Sequence, residues 1–271
     1  MAAPSPLTAV LDAAERAGKL NLRTDDIRRA LPHVSQEALR QALYRQQRRG
    51  RLIRLSRGSD HWLIVPLQYA AAGAPPLETW LDRYMSKTLG LPYYVALLSA
   101  AETYGASPYA VMVTQVMVPN RRRPITVGRH EIVFHTRSRI EHMPTRWHET
   151  PDGRLKVSTP ELTALELVRR ETASGGMSRV REVLRALWPS CTPRGLSEAL
   201  EALQEVPTAQ RLGALLALDD QDALASSVRK WLGDKPLRIV PLEGGQTSDT
   251  SSGVDIAFKV RLPADLHSAN A

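Results

Sequence analysis

Three short apolar stripes of helical spacing, followed at once by two of strand-like pattern, fill the first 65 residues, and few small folds accept that order. Leu7, Val10, Leu11 and Ala14 mark a helix within residues 4–18 that ends at Gly18. Thr24 is the expected N-cap of a second helix, with Asp25 and Asp26 in its first turn, Ile27, Ala30 and Leu31 as its apolar face, and Pro32 closing it. Ser35 opens a third, whose buried stripe is Leu39 and Leu43 and which Gly50 ends as its C′ residue. Leu52, Ile53 and Leu55 then read as a short strand, the Ser56-Arg57-Gly58-Ser59-Asp60 stretch as a turn, and residues 61–65 as a second strand. Three helices followed by a two-stranded hairpin is the order of a winged helix-turn-helix, expected as a domain over residues 1–65.

Charge concentrates on the same segment. The net charge is +8, yet residues 1–65 hold twelve Lys/Arg against six Asp/Glu, while residues 159–271 hold thirteen against fifteen. Within residues 35–61 the bases are Arg40, Arg45, Arg48, Arg49, Arg51, Arg54 and Arg57, facing only Glu37 and Asp60. Arginine presents a planar fork that holds phosphates and guanine edges in pairs of hydrogen bonds. With Leu39 and Leu43 inward, Gln36, Glu37, Arg40, Gln41, Tyr44, Arg45 and Arg48 fall on the outer face of the third helix. The expected DNA-binding set is therefore Gln36, Arg40, Gln41, Tyr44, Arg45 and Arg48 in the major groove, with Arg54 and Arg57 on the wing. A protein-interaction or dimerisation module is the alternative for this domain.

Residues 66–76, with Ala70-Ala71-Ala72-Gly73-Ala74-Pro75-Pro76, carry no periodicity and read as a linker to a second domain, 77–271. Helices are expected over 77–86 and 92–104, then strands over 110–118, 125–127, 132–135 and 154–157. The turn 119–124 carries Arg121, Arg122 and Arg123 between Pro119 and Pro124. It reads as a solvated hairpin loop or, with Arg129, Arg137, Arg139 and Arg146, as a second basic surface. From Ser158 the pattern is helical: a capping box at Ser158-Thr159-Pro160-Glu161, a stripe of Met177, Val180, Val183, Leu184 and Leu187, and a helix from Thr192-Pro193 with Leu196, Leu200 and Leu203. Residues 211–218 and 224–232 continue the helices, and 237–242 with 254–262 read as a closing pair of strands around a Gly/Ser/Thr-rich loop. The expected class is α+β, its second domain largely helical in the latter half.

Composition and motifs exclude other classes. Hydrophobic residues at 43% and charged residues at 24% rule out wholesale disorder. The best apolar run, residues 93–101, has nine positions against the roughly 18–20 a membrane helix needs. Met1-Ala2-Ala3-Pro4-Ser5-Pro6 has no basic stretch before an apolar one, so no signal peptide and a cytoplasmic location are expected. Cys191 is the single cysteine, which excludes internal disulfides and cysteine-clustered zinc. Neither His130-Glu131 nor His148-Glu149 has the second histidine of a zinc helix, and no phosphate loop is present. Pro151-Asp152 with Lys156 lacks the second carboxylate of a nuclease core. Cys191 has no nearby histidine to activate it. No enzyme, metal or cofactor is expected.

Four passages, in order, carry a resemblance. Ser99-Ala100-Ala101-Glu102-Thr103-Tyr104-Gly105-Ala106 resembles the helix and glycine of AbiEi-type antitoxins, as does the passage from Gln115-Val116-Met117-Val118-Pro119 through Arg121-Arg122-Arg123-Pro124-Ile125 to Val127-Gly128-Arg129. Residues 157–168 (Val157-Ser158-Thr159-Pro160-Glu161-Leu162 onward) are similar to that family's antitoxin-domain helix, and Gly175-Gly176 and Gln210-Arg211-Leu212-Gly213 follow in place. The resemblance spans about residues 93–218, behind a family-like winged helix; the segment 244–253 has no counterpart in the pattern. It implies an antitoxin of a bacterial type IV toxin–antitoxin pair linked to abortive infection by phage. It also implies repression of the shared promoter through inverted repeats in double-stranded DNA. The implied functional partner is a nucleotidyltransferase toxin, without a stable complex. The alternatives are a stand-alone winged-helix transcription factor with a ligand-sensing or dimerisation domain, and a nuclease.

Overall fold

The computed structural model describes residues 5–55, 60–107, 113–128, 130–243 and 253–263 of the 271-residue chain. Helix α1 (Pro6–Arg16) starts where expected: the Ser5 hydroxyl accepts from the Thr8 amide at 3.3 Å, and proline occupies the first helical position, where no amide is needed. Strand β1 (Asn21–Arg23) is an addition to the sequence reading. It makes Thr24 the first residue of α2 (Thr24–Ala30) rather than its N-cap. The Thr24 hydroxyl instead donates to the Asp60 carbonyl at 3.2 Å and accepts from Trp62 Nε1 at 2.9 Å. Helix α3 (Gln36–Arg48) is capped by Ser35 and buries Leu39 and Leu43 as expected, and Gly50 follows with φ +70°. Strands β2 (Leu52–Arg54) and β3 (His61–Ile64) pair antiparallel with Arg54 opposite Trp62. Strand β1 pairs antiparallel with the other edge of β3, giving a three-stranded sheet in the order β1-β3-β2. Leu7, Leu11, Ile27, Leu39, Leu43 and Leu63 are all buried and form the core of this sheet and its three helices.

Residues 66–76 are not featureless: Leu67–Tyr69 makes a 3-10 turn and Ala74 is buried. The helix expected over 77–86 is broken into a 3-10 turn (Leu77–Thr79), a single turn α4 (Leu81–Arg83) and a π-type turn (Tyr84–Thr88). Trp80, Leu81, Tyr84 and Met85, which keep a helical spacing in this stretch, are nevertheless all buried. Strand β4 (Tyr94–Val95) shortens the next expected helix to α5 (Leu97–Thr103). Strands β5 (Val113–Val118), β6 (Ile125–Val127) and β7 (His130–Thr136) follow. Strand β7 lies between the other two, parallel to β5 and antiparallel to β6. Residues 119–124 are therefore not a hairpin loop; they carry the chain from one side of β7 to the other.

Strand β8 (Thr145–Thr150) is a second addition, neighbour to β9 (Gly153–Ser158). Val95 in β4 pairs in parallel with Val157 in β9. The helices then come in the expected order: α6 (Pro160–Arg169), α7 (Met177–Leu187), α8 (Pro193–Leu203), α9 (Val206–Leu218) and α10 (Asp222–Leu232). The five residues expected to line α7 are the ones it buries. The capping box at 158–161 does not form as written. Thr159 is the cap, accepting from the Leu162 amide at 3.3 Å, and Glu161 turns to α8, where it accepts from the Thr192 amide at 2.8 Å and its hydroxyl at 3.0 Å. Among the described residues the closing strands number three: β10 (Val240–Pro241), β11 (Val254–Asp255) and β12 (Val260–Arg261), ordered β10-β12-β11. The protein is α+β.

By compactness the chain divides into two units, each interrupted in sequence: residues 1–93, 112–138 and 147–156 in the first, the remainder in the second. In the second, Gly213 of α9 faces the buried ring of Phe258, and a Cβ there would come within 2.3 Å of it. Gly213→Ala is expected to lower the unfolding free energy by about 1–3 kcal/mol, because a well-packed site has no room for another methyl group. Urea denaturation measures this, and pairing the change with Phe258→Leu should recover part of the loss.

Candidate nucleic-acid interface

Register alone decides which side of α3 is free. Leu39, Leu43 and Gln46 are buried, and Gln46 donates to Thr8 Oγ1 at 3.2 Å on α1. The opposite side exposes Gln36, Glu37, Arg40, Gln41, Tyr44, Arg45 and Arg48. Tyr44 is 56% exposed, a large aromatic ring left half in solvent. Glu37 organises the first turn of this face: its carboxylate accepts from Arg40 at 2.8 Å and from Gln41 at 3.1 Å. Those hydrogen bonds, Arg40 first, hold the Glu37 carboxyl below the usual carboxylate range. Arg45 and Arg48 have no acidic partner among the described residues.

The expected basic set is not uniform. Arg51 leaves it altogether: it pairs with Asp12 at 2.9 Å and with Glu15, both on α1, and donates to the Val65 carbonyl at 2.8 Å. Arg54 stays exposed on β2 with its guanidinium 5.3 Å from the centre of the Trp62 ring. Arg57 lies outside the described residues. Arg54 borders two depressions of the first unit. A groove of about 440 Å³ lies between α2, α3 and the hairpin and includes Gln36, Arg40, Tyr44 and Trp62. A cleft of about 650 Å³ is lined by Arg54, Tyr84, Arg121, Arg122 and Arg123.

Only part of the second basic surface comes together. Arg121 and Arg123 are exposed, and Arg122 is half-buried against Tyr84, whose phenol is pushed up by burial against the hydrogen bond from Arg122. Arg137 is buried, so it adds nothing to a surface. Arg139 is exposed in a left-handed turn, φ +55°, and belongs to the second unit; Arg129 lies outside the described residues. Tyr84 lines the cleft and Trp62 the groove, and the sequence reading assigned neither residue to a site. His61 is held below its ordinary value by burial first, with Arg23 and Arg122 reinforcing and Asp60 opposing.

The second unit is built around polar groups that serve packing. Tyr94 donates to Glu166 at 2.6 Å, Ser158 and Thr163 share a hydrogen bond at 2.7 Å, and the Tyr104 hydroxyl donates to the Ser158 carbonyl. Burial first, then Glu161, pushes the Cys191 thiol up to about 12. No group of three potential metal ligands occurs among the described residues.

In fold the chain is an α+β protein resembling the crystal structure of the RV2827C protein from Mycobacterium tuberculosis, with a TM-score of 0.62 and 16% identity over 96% of this chain and 92% of that one. At that identity the likeness is one of fold. Residues 94–218 match the family model of the AbiEi antitoxin C-terminal domain, and this stretch of the chain is such a domain, as the sequence resemblance implied. The domain supports an antitoxin role in a toxin–antitoxin system. Comparison with curated proteins gives no match. No helix among the described residues is long and apolar enough to cross a membrane.

Two outcomes follow from the side-chain environments. Arg51→Ala is expected to lower the unfolding free energy by about 1–2 kcal/mol, the loss of partly exposed charged hydrogen bonds. Arg45→Ala should stay within about 0.5 kcal/mol in the same denaturant titration. Because its thiolate is scarce below pH about 12, Cys191 should react with a thiol reagent at pH 8 only as fast as the protein opens; rapid labelling of the native protein would refute this.

Proposed function

We propose that the protein is an autoregulating antitoxin: residues 1–65 act as a winged helix-turn-helix on inverted repeats in the promoter of its own operon, and residues 77–271, joined through 66–76, counteract a nucleotidyltransferase toxin without holding it in a stable complex. One observation carries the DNA half of the reading. The exposed side of α3 joins an amide-bearing residue, an aromatic ring and arginines whose charge no acidic side chain takes up at Arg45 and Arg48. That combination suits base edges and phosphates, whereas a protein-binding helix of this size would expose an apolar stripe. Arg40, steadied by Glu37, stands where the helix start would meet the bases; Arg48, the last residue of the helix, stands where backbone passes. The antitoxin half rests on the matched domain. A type IV arrangement and a non-enzymatic role follow from the family reading.

A gel-shift titration against the upstream DNA of its own gene, at two salt concentrations and beside a scrambled duplex, tests the DNA half. Selective binding through two successive complexes is expected. Arg40→Ala should lose about 1–3 kcal/mol of discrimination between the two duplexes. Arg48→Ala should weaken both alike and lower the salt slope by about one. Equal affinity of the parent protein for own and scrambled DNA would overturn the repressor reading. Co-expression with the neighbouring toxin gene tests the other half: growth restored in cells supports it, and unrelieved toxicity removes it.

A further inference from the structure

A further depression of the first unit, of about 570 Å³, is walled by β1, α2, α4 and the turn after α4, and the DNA reading makes no use of it. Lys19, Arg23, Arg29, Arg83 and Lys87 line it against a single acid, Asp26. Two of the five cations are engaged within the fold: Arg29 pairs with Asp26, and Arg23 with Asp60 at 3.4 Å. Lys19, Arg83 and Lys87 are exposed and have no acidic partner among the described residues. Cations gathered around one hollow attract an anion, and both arginine and lysine suit phosphate oxygens.

Asn21 narrows the choice of anion. It lines the same hollow and is 8% exposed. Its Nδ2 donates to the Trp80 carbonyl at 2.8 Å, which fixes the orientation of the amide, since the reverse would set two oxygens against each other. Oδ1 is thereby left as a buried acceptor with no donor among the described residues, an arrangement that is costly until a donor meets it. The sugar–phosphate backbone of duplex DNA presents acceptors only and leaves this oxygen as it is. A ribonucleotide carries phosphates at one end and hydroxyl and amine donors at the other.

We propose that this hollow binds a ribonucleotide, with its phosphates among Lys19, Arg83 and Lys87 and a donor of its ribose or base at Asn21 Oδ1. The volume is that of a small-molecule site, and a lining of charged and amide side chains suits a polar ligand. The site needs neither the exposed face of α3 nor the arginines at 121–123, so it stands or falls apart from the DNA reading.

Calorimetric titration of the full-length protein with ATP, and with inorganic triphosphate beside it, tests the assignment. ATP is expected to bind about tenfold or more tightly than triphosphate, because it alone brings donors to the buried acceptor. Arg83→Gln together with Lys87→Gln, both at exposed positions, should weaken ATP by about tenfold or more through the loss of two charge-assisted contacts. Asn21→Leu should bring ATP down to the affinity of triphosphate and leave triphosphate as in the parent. Absence of ATP binding at millimolar concentration overturns the proposal. Equal affinity of the parent for ATP and triphosphate also overturns it, marking a general anion surface, as does ATP binding unchanged in the double variant, which puts the nucleotide elsewhere. A double variant that loses duplex affinity and salt slope, when the parent binds no ATP, assigns these charges to DNA backbone instead. Unfolding midpoints of parent and variants, without ligand, are expected to agree; should Asn21→Leu fail to fold, the parent's preference for ATP over triphosphate and the double variant decide the matter.

Discussion

Helix α6 is buried on every side, and the second unit is arranged around what that burial demands. Nine consecutive residues, from Pro160 to Val168, are shielded from water, although three of them are Glu161, Thr163 and Glu166. A buried carboxylate without hydrogen bonds is far more costly than one in solvent, so each must find its partners inside the protein. Glu161 does so by accepting from the amide and hydroxyl of Thr192, at the start of α8. Thr163 takes the carbonyl of Thr159 and the hydroxyl of Ser158, and Tyr94 reaches Glu166. Helices α5, α7, α8 and α9 all pack on α6, so these bonds align the neighbours as well as satisfying the helix. The motif most like the family's antitoxin helix is thus the one whose polar residues have least freedom to change.

The first unit divides its arginines by use. Arg51 is absorbed into the fold, joining α1 to the chain around the hairpin; Arg40 is steadied by a neighbouring acid; Arg45 and Arg48 face solvent without one. An interface needs the last group to be charged and the first group to hold the platform still. Both come from one short stretch of sequence in which every base is the same residue type.

That division marks what a sequence shows and what it conceals. Periodicity identified α1, α3 and α7 because each buries a stripe against a single side of the fold, which repeats every three or four residues. It missed β1 and β8, whose residues, such as Asn21 and Arg23 or Arg146 and Glu149, alternate too weakly to register; their partners across the sheet define them. It mistook 77–86 for one helix because Trp80, Leu81, Tyr84 and Met85 keep a helical spacing while the backbone changes from one turn type to another beneath them. At the candidate interface, the exposed face of α3 followed from Leu39 and Leu43 alone. The bond from Arg51 to α1, the burial of Arg137 and the meeting of Arg54 with residues 121–123 did not, since each joins positions far apart in the chain.

Gln210 carries one more implication. Its side-chain amide donates to the carbonyls of Arg238 and Phe258, at 2.9 and 2.7 Å, and Arg211 beside it donates to the carbonyl of Pro241 at 2.8 Å. Those acceptors lie twenty or more residues past the end of the matched family segment at 218. The segment that defines kinship is therefore shorter than the segment that folds. Judged by recognisable sequence, the domain stops with α9; judged by where its buried amides are satisfied, it continues into the short strands that follow, a part of the chain free to vary in side chain while its backbone stays committed.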